Sequence, residues 1–268
     1  NFASSIHLKL EKIDNKIIAT DLGSTNGTKV VPKNEIKPFY CSLDDIHLSQ
    51  NNVGDCFLLS TIYAMSRTPY GRELLEKMVR VDEAGNYIVT FKNQEPIVVA
   101  SNELDGQTKR DKKKISVSGD LGIKAIERAY GKLLKKQALI VLEAETMFSD
   151  IDQGGQTSTA LEKMTGIKSK EFVPIKVNID EILTSLYRNN PKNYILTCST
   201  YNRGNYGSYM DPERRFNARH AYAIDAIDAQ NRLIKIINPH NTLHSYFVTW
   251  DEFKKYFDCF FIANAWKE

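Results

Sequence analysis

The sequence predicts an α+β fold in which a helical first half is followed by a β-rich second half. Apolar residues crowd positions 56–65 and recur with helical spacing along positions 121–142, as expected for two buried helices. After Pro191 the apolar runs are short, rich in β-branched residues and separated by turn residues, which is typical of strands. Because helices and strands are segregated along the chain instead of alternating, an α+β architecture is favoured over an α/β one.

The first 37 residues differ from the rest and predict a short β-rich segment. An Asn-Gly pair at positions 26–27 is a tight-turn signal. The segment is too small to hold a core of its own. We therefore divide the chain into a β segment at residues 1–37 and a main domain at residues 39–268. The strand candidates of the segment are residues 6–10, 16–20 and 28–31.

In the main domain the helices are expected first and the strands second. Helices are predicted at residues 56–65, 73–79 and 121–142, with strands at 86–91 and 97–99 between them. In the second half the predicted strands are residues 194–198, 221–224, 233–237, 246–249 and 259–262, with a short amphipathic helix at 250–257.

The composition excludes several classes of protein. Of 268 residues, 42% are hydrophobic and 26% charged, which excludes collagen-like, disordered and coiled-coil chains. The net charge of +3 is too small to argue for a nucleic-acid partner. No apolar run approaches the roughly 20 residues that span a bilayer, so no membrane association is expected. The start at Asn1 lacks a signal-peptide pattern, and we interpret it as an internal boundary of a longer chain, produced by truncation or by cleavage.

The four cysteines are scattered, which argues against metal and redox motifs. Such motifs need two sulfurs a few residues apart, and a secreted disulfide scaffold would be denser in cysteine. We therefore expect free thiols in a reducing compartment. The cytoplasm fits this expectation, and so does a host cytosol reached by a bacterial effector. The cysteines are Cys41, Cys56, Cys198 and Cys259.

One cysteine, one histidine and one asparagine are candidates for covalent catalysis. Cys56 opens a predicted helix, where the helix dipole and unpaired N–H groups favour a thiolate nucleophile; the alternative is a buried apolar filler. His220 and Asn238 stand at the ends of two predicted strands, so the amide could orient the imidazole toward the sulfur, or both could be polar strand caps. Gln50 and the backbone N–H of Cys56 could donate to an oxyanion.

Residues 50–60, QNNVGDCFLLS, resemble the nucleophile motif of calpain-type cysteine proteases, a branch of the papain-like fold. Further blocks resemble other motifs of that family and follow in the same order, so that the resemblance covers about residues 39–268. These blocks are residues 125–133, the glycine pair 154–155 with residues 161–166, and residues 220–222, 233–239 and 250–257.

The resemblance implies a papain-like fold of two lobes, helical and β-rich, with the substrate cleft between them. It implies a cysteine endopeptidase that acts on protein substrates by a Cys–His–Asn mechanism and needs no cofactor. Because no acidic loops match the calcium sites of the family's protease core, we expect calcium independence. The site residues implied are Cys56, His220, Asn238 and Gln50 for catalysis, and Gly154, Gly155 and Arg219 for substrate binding.

Three positions depart from the pattern of the family. Arg219 replaces a glycine, His240 a tryptophan after Asn-Pro, and Phe57 a tryptophan after the cysteine. None of these changes removes a catalytic group. A deamidase or acyltransferase that uses the same Cys–His machinery remains an alternative, because function is a property of the site and not of the fold.

Residues 4–7 and 21–28 resemble motifs of forkhead-associated domains, which bind phosphothreonine peptides. Only the second half of such a domain would be present, and Ser5 replaces the arginine of the motif. We interpret the segment as a remnant that binds nothing by itself. If it were completed, Ser4, Thr25 and Asn26 would contact the peptide. An inactive phosphopeptide-binding scaffold is the non-enzymatic alternative, favoured by Arg219 and His240.

Overall fold

A computed structural model describes residues 8–13, 16–22, 37–51, 53–104, 117–137, 151–201, 209–213 and 215–266. The chain divides into two compact units, Asn1–Ile36 and Lys37–Glu268. Within the described part of the chain, no helix combines the length and the apolar character needed to cross a bilayer.

The first unit contains an antiparallel hairpin of β1 (Leu8–Ile13) and β2 (Lys16–Asp21). Leu8 lies opposite Asp21, and Ile13 lies opposite Lys16. These two strands overlap the strands predicted at residues 6–10 and 16–20. The third predicted strand and its Asn-Gly turn lie outside the described residues.

The second unit begins with its helical half. A two-stranded ladder of β3 (Leu48–Ser49) and β7 (Ser118–Gly119) and an antiparallel three-stranded sheet accompany the helices. The sheet consists of β4 (Val79–Val81), β5 (Tyr87–Val89) and β6 (Ile97–Val99). The helices are α1 (Cys56–Ser66), α2 (Pro69–Met78), α3 (Leu121–Gln137) and α4 (Thr157–Thr165).

Helix α1 is the central element of this half. Every residue of α1 after Cys56 is buried, as expected for a helix that is apolar on all sides. Helix α2 starts at Pro69 and not at the predicted residue 73, because the hydroxyl of Thr68 caps it by accepting a 3.0 Å hydrogen bond from the N–H of Gly71. Proline is suited to the first helical position because it has no N–H group, and an N–H group there would have no partner within the helix.

The second half is built on one antiparallel sheet of six strands in the order β12-β11-β10-β9-β13-β8. Two helices accompany it, α5 (Ile179–Arg188) and α6 (Trp250–Tyr256). The strands are β8 (Lys170–Phe172), β9 (Tyr194–Thr200), β10 (Ala221–Asp228), β11 (Leu233–Ile237), β12 (Ser245–Thr249) and β13 (Phe257–Asn264).

Two hydrophobic clusters divide the second unit. The first surrounds α1 and α3 and includes Ile195, Ala221 and Ala223 from the sheet. The second contains residues of α5, α6 and the sheet. Because side chains alternate between the two faces of a strand, the helical half packs on one face of the sheet, and α5 and α6 pack on the other.

Helix α1 is fastened to the sheet close to its own first turn. The Ser60 hydroxyl donates a 2.9 Å hydrogen bond to the carbonyl oxygen of Ala221, the first residue of β10. Nearby, the hydroxyls of Thr157 and Thr197 are 2.7 Å apart and link α4 to β9. Both contacts are buried; the first holds α1 beside the start of β10, and the second holds α4 beside β9. Cys56 is the first residue of α1, and His220 directly precedes β10.

Candidate active site

The loop before Cys56 is held by a carboxylate from a distant part of the chain. The N–H of Gly54 donates a 2.8 Å hydrogen bond to Oδ1 of Asp152. A Cβ atom at Gly54 would lie 2.5 Å from the backbone oxygen of Asp152, so only glycine permits this approach. The N–H groups of Leu58 and Leu59 then donate to the carbonyl oxygen of Asp55, and α1 begins with Cys56 at its first position.

His220 is bound to Asn238 in one defined orientation. Nε2 of His220 lies 2.9 Å from Oδ1 of Asn238, and the backbone N–H of His240 donates to the same Oδ1 at 3.0 Å. Since a backbone N–H can only donate, the shared atom of Asn238 is the oxygen. Nε2 of His220 therefore carries a proton, and Nδ1 is the nitrogen with a free lone pair.

The imidazole of His220 is buried and packed on two sides. The ring of His240 stacks on it with centroids 4.6 Å apart and an interplanar angle of 4°, and Tyr222 meets it edge-on at 4.9 Å. His240 thus covers the His–Asn hydrogen bond from the position where the resemblance expects tryptophan. The backbone N–H of His220 donates to the hydroxyl of Thr200.

Arg219 precedes the histidine in a backbone conformation that favours glycine. Its φ is +54°, in the left-handed region that side chains other than those of Asn and Asp rarely adopt. The side chain is exposed. The glycine that the resemblance expects at this position would adopt the conformation without strain, and Arg219 adopts it in this chain at some energetic cost.

Burial keeps both candidate catalytic groups neutral in this conformation. It raises the pKa of the Cys56 thiol to about 11, although backbone N–H groups, that of Ala221 first among them, lower it. Burial also lowers the pKa of His220 to about 4, against the opposing effect of the hydrogen bond that the imidazole donates to Asn238. The thiolate expected from the helix N-terminus alone is therefore not favoured here, since desolvation outweighs the backbone donors.

Gln50 links the loop of the nucleophile to the loop of the histidine. Its side-chain Nε2 donates a 2.6 Å hydrogen bond to the carbonyl oxygen of Val53, and its backbone N–H donates at 2.7 Å to that of Pro239. Next to it, the hydroxyl of Ser49 donates to the carbonyl oxygen of His240 at 2.7 Å. Leu48 and Thr242 are also joined, by the N–H of Leu48 to the hydroxyl of Thr242 and by the hydroxyl and N–H of Thr242 to the carbonyl oxygen of Leu48, so that five hydrogen bonds connect the segments.

A cavity of about 370 Å³ contains most of the predicted site residues. Cys56, Gly154, Gly155, Arg219 and His220 all line it. Asn238 lies behind the imidazole, and Gln50 lies in the loop before the cysteine. A larger cavity of about 760 Å³ opens near the edge strand β8 and contains none of the predicted site residues.

The glycine pair forms one side of the 370 Å³ cavity. Gly154 has a φ of +77°, which requires glycine or a small polar residue. A Cβ atom at Gly155 would lie 2.9 Å from the ring of Phe57. The backbone of both residues is therefore bare on the cavity side, which suits close approach of an extended peptide.

Sequence reasoning missed several residues of the site. Asp152 follows no motif, and its contact with Gly54 joins residues far apart in sequence. The buried carboxyl group of Asp55 directly precedes the nucleophile, and burial together with the neighbouring buried Glu127 holds the pKa of Asp55 well above its usual range. The remaining missed residues that line the cavity are Gln156, Thr157, Glu171, Ser199, Thr200, Ala221, Asp258, Cys259 and Phe261.

The other predicted residues do not contribute to this site. The four cysteines are all free thiols, as the sequence predicts, and Cys41 is exposed. Ser4, Thr25 and Asn26, the candidate phosphopeptide contacts, lie outside the described residues. Across those parts of the chain that are described, no group of three or more His, Cys, Asp or Glu side chains could hold a metal ion.

Comparison with known families agrees with the geometry of the site. A family model described as calpain family cysteine protease matches residues 31–257, a range that includes Cys56, His220 and Asn238. A search of curated proteins found no match. Since the family model spans most of the sequence, the chain belongs to the calpain family of cysteine proteases and is a hydrolase.

Proposed function

We propose that this protein is a cysteine endopeptidase in which Cys56 is the nucleophile and His220 the general base. The observation that carries the proposal is the orientation of the imidazole. Asn238 holds the proton on Nε2, which leaves Nδ1 of His220 as the basic nitrogen in the cavity that Cys56 also lines. A positioned base next to a thiol is the requirement for nucleophilic catalysis by cysteine.

In the proposed reaction a peptide carbonyl enters the cavity beside Cys56. The thiol proton moves to Nδ1 of His220 as the sulfur attacks the carbonyl carbon, and a tetrahedral oxyanion forms. Its breakdown expels the amine, which takes the proton from the imidazolium, and leaves a thioester on Cys56. A water molecule then loses a proton to His220 and hydrolyses the thioester, which frees the carboxylic acid and restores the thiol.

Gln50 is proposed as an oxyanion donor. Its side-chain amide donates to the carbonyl oxygen of Val53 and also interacts with the carboxyl group of Asp55, so donation to an oxyanion would require the amide to exchange the contact with Asp55. The backbone N–H of Cys56, at the start of α1, is the second proposed donor. Donors held in place before the reaction stabilise the charge that develops on the carbonyl oxygen.

The neutral resting pair fits a mechanism in which charge develops during the reaction. Attack by sulfur creates an imidazolium on His220, and Asn238 already accepts the hydrogen bond that this cation donates. Hydrogen bonds to charged groups are stronger than neutral ones, so Asn238 stabilises the reacting state more than the resting state.

The two hydrophobic clusters of the second unit support the two-lobed, papain-like arrangement, with Cys56 and His220 on opposite sides of the cleft.

Selective alkylation of Cys56 tests the proposal. An epoxysuccinyl peptide, which binds in the cavity beside His220 before it reacts, should label Cys56 far faster than the other three thiols, and Cys56→Ala should abolish cleavage of an unfolded protein substrate. Cys41→Ala is the matched control, because this exposed thiol lies outside the cavity, and it should remain fully active. Equal labelling of all four thiols, or cleavage by Cys56→Ala, would contradict the assignment.

The same assay separates the remaining alternatives. Mass spectrometry of the products distinguishes peptide-bond cleavage from deamidation, which adds about one dalton, or from acyl transfer, which leaves a new acyl bond. We propose that the activity is independent of calcium, so that adding a calcium chelator should leave the cleavage rate unchanged. Phosphopeptide binding by Ser4, Thr25 and Asn26 stays a prediction of the sequence.

A further inference from the structure

Two carboxylates lie on one wall of the cavity that contains Cys56. Glu171 projects from β8, and Asp258 from the neighbouring strand β13. They are the acidic residues of this lining, and Arg219 is its cationic one. Because the pKa of His220 is lowered to about 4, the imidazole adds no positive charge near neutral pH.

An irregularity in the sheet brings Asp258 to this wall. Phe257 pairs with Thr200 and Cys259 pairs with Ser199, so the register shifts by one residue at Asp258. Such a bulge places two residues opposite one and redirects a side chain. The hydroxyl of Ser199 accordingly donates to Oδ1 of Asp258 at 2.8 Å and also lies 2.9 Å from the sulfur of Cys259. Asp258 therefore faces the cavity together with Cys259.

Neither carboxylate is neutralised by a cation. Among the ion pairs of the described residues, none involves Glu171 or Asp258. Among the described residues, the donors to Asp258 are neutral groups, the hydroxyl of Ser199 and the thiol of Cys259, and a carboxylate has room for further donors. The pKa of Cys259 is raised to about 12, chiefly by burial, and both carboxylates contribute. The negative charges of Asp258 and Glu171 thus both act at the thiol of Cys259, in the same part of the cavity wall.

We propose that this wall binds a lysine or arginine side chain of the substrate next to the scissile bond. Asp258 would be the principal partner of the cation, and the exposed Glu171 the second. The aliphatic part of the side chain would lie against Ala221 and Phe261, which line the same cavity; long basic side chains pack in this way with their charged ends on polar groups. This inference rests on the proposed peptidase function, because it names the class of residue that the cleft accepts.

Peptide substrates that differ in one residue test the proposal. Three fluorogenic series carry arginine, lysine, citrulline, norleucine or glutamate at the first, second or third position before the cleaved bond. At one of these positions we expect kcat/KM to be at least tenfold higher for arginine or lysine than for the neutral analogues, and lowest for glutamate. Equal cleavage of the norleucine and arginine peptides in every series would overturn the proposal, as would a preference for glutamate directed by Arg219.

Isosteric variants assign the preference to the two carboxylates. Asp258→Asn keeps an acceptor for the hydroxyl of Ser199, and Glu171→Gln keeps the side-chain size. In the double variant the ratio of kcat/KM for the arginine peptide to kcat/KM for the citrulline peptide should fall at least tenfold. Glu162→Gln, an exposed residue of α4 outside the cavity, is the matched control. Retention of the arginine preference by the double variant would refute the assignment.

A binding measurement separates this inference from the proposed function. In Cys56→Ala protein, fluorescence polarisation should show tighter binding of the arginine peptide than of the citrulline peptide, and the two substitutions should remove the difference. If this holds but the native protein cleaves nothing, the peptidase function fails and the pocket stands. If the native protein cleaves peptides with no basic preference, the pocket fails and the peptidase function stands.

Discussion

Truncation of Asn238 to alanine tests the proposed orientation of the catalytic base most directly. The side chain accepts a 2.9 Å hydrogen bond from Nε2 of His220. In Asn238→Ala the imidazole loses this acceptor and is free to rotate, so that Nδ1 spends less time facing the sulfur of Cys56. The backbone N–H of His240, which donates to the same oxygen, loses its partner as well, so stability must be measured together with activity.

The expected loss follows from the change in charge during the reaction. A hydrogen bond to a charged group contributes about 1.5–3 kcal/mol and a neutral one about 0.5–1.5 kcal/mol, so the bond strengthens by about 1–1.5 kcal/mol when the imidazolium forms. Fixing the freed side chain again costs up to about 1–2 kcal/mol in rotamer entropy. The sum of about 2–3.5 kcal/mol corresponds to a decrease of kcat/KM by about 30- to 370-fold.

Steady-state cleavage of a fluorogenic peptide measures the loss, with thermal unfolding as the check on the fold. The decrease should appear in kcat with little change in KM, because Asn238 lies behind the imidazole and does not line the cavity. Asn238→Asp is the matched control: it keeps the acceptor and should retain most of the activity, with the pH profile shifted upward. A folded Asn238→Ala protein with activity within threefold of the native value would refute the proposed role of Asn238.

Two further predictions concern pH and packing. The pKa of His220 is about 4 when folded and 6.5 ordinarily, so the unfolded chain binds the proton more readily. The free energy of unfolding should then be unaffected by His220 above pH 6.5 and fall by about 3 kcal/mol as the pH drops to 4 and below. Urea unfolding at a series of pH values should show this decrease, and His220→Gln should make the decrease smaller. Gly54→Ala should lower stability by about 1–3 kcal/mol and reduce cleavage, because its Cβ would lie 2.5 Å from the backbone oxygen of Asp152. An unchanged melting temperature in that variant would contradict the close approach.

The sequence predicted the elements whose signal is local. The start of α1 at Cys56 and the bounds of β6 and β11 are confirmed, since dense apolar runs and β-branched pairs identify them. Helix α5 was not predicted, although Asn178 caps it and Ile179, Leu183 and Leu186 form its buried face; the signal was present in the sequence. Strand β8 has three residues and exists by pairing with β13, which no local pattern reveals.

The site was predictable only as far as motifs extend. Motif order pointed to Cys56 and His220, which line one cavity, and strand ends pointed to Asn238, which is bound to His220. The sequence favoured a thiolate at Cys56, whereas burial raises the pKa of the thiol: the helix N-terminus is visible in the sequence, but burial depends on what packs over the side chain. Asp258 escaped notice for a similar reason: its direction is set by a bulge, which arises from pairing between β13 and β9.

The hydrogen bonds between residues 48–50 and the loop after Asn238 have a mechanical consequence. Gln50 to Pro239, Ser49 to His240 and Leu48 to Thr242 connect the segment that carries the proposed oxyanion donor to the loop that follows Asn238. A displacement of one segment would therefore displace the other. The distance between Gln50 and the loop after Asn238 is thus fixed when the protein folds, before a substrate binds.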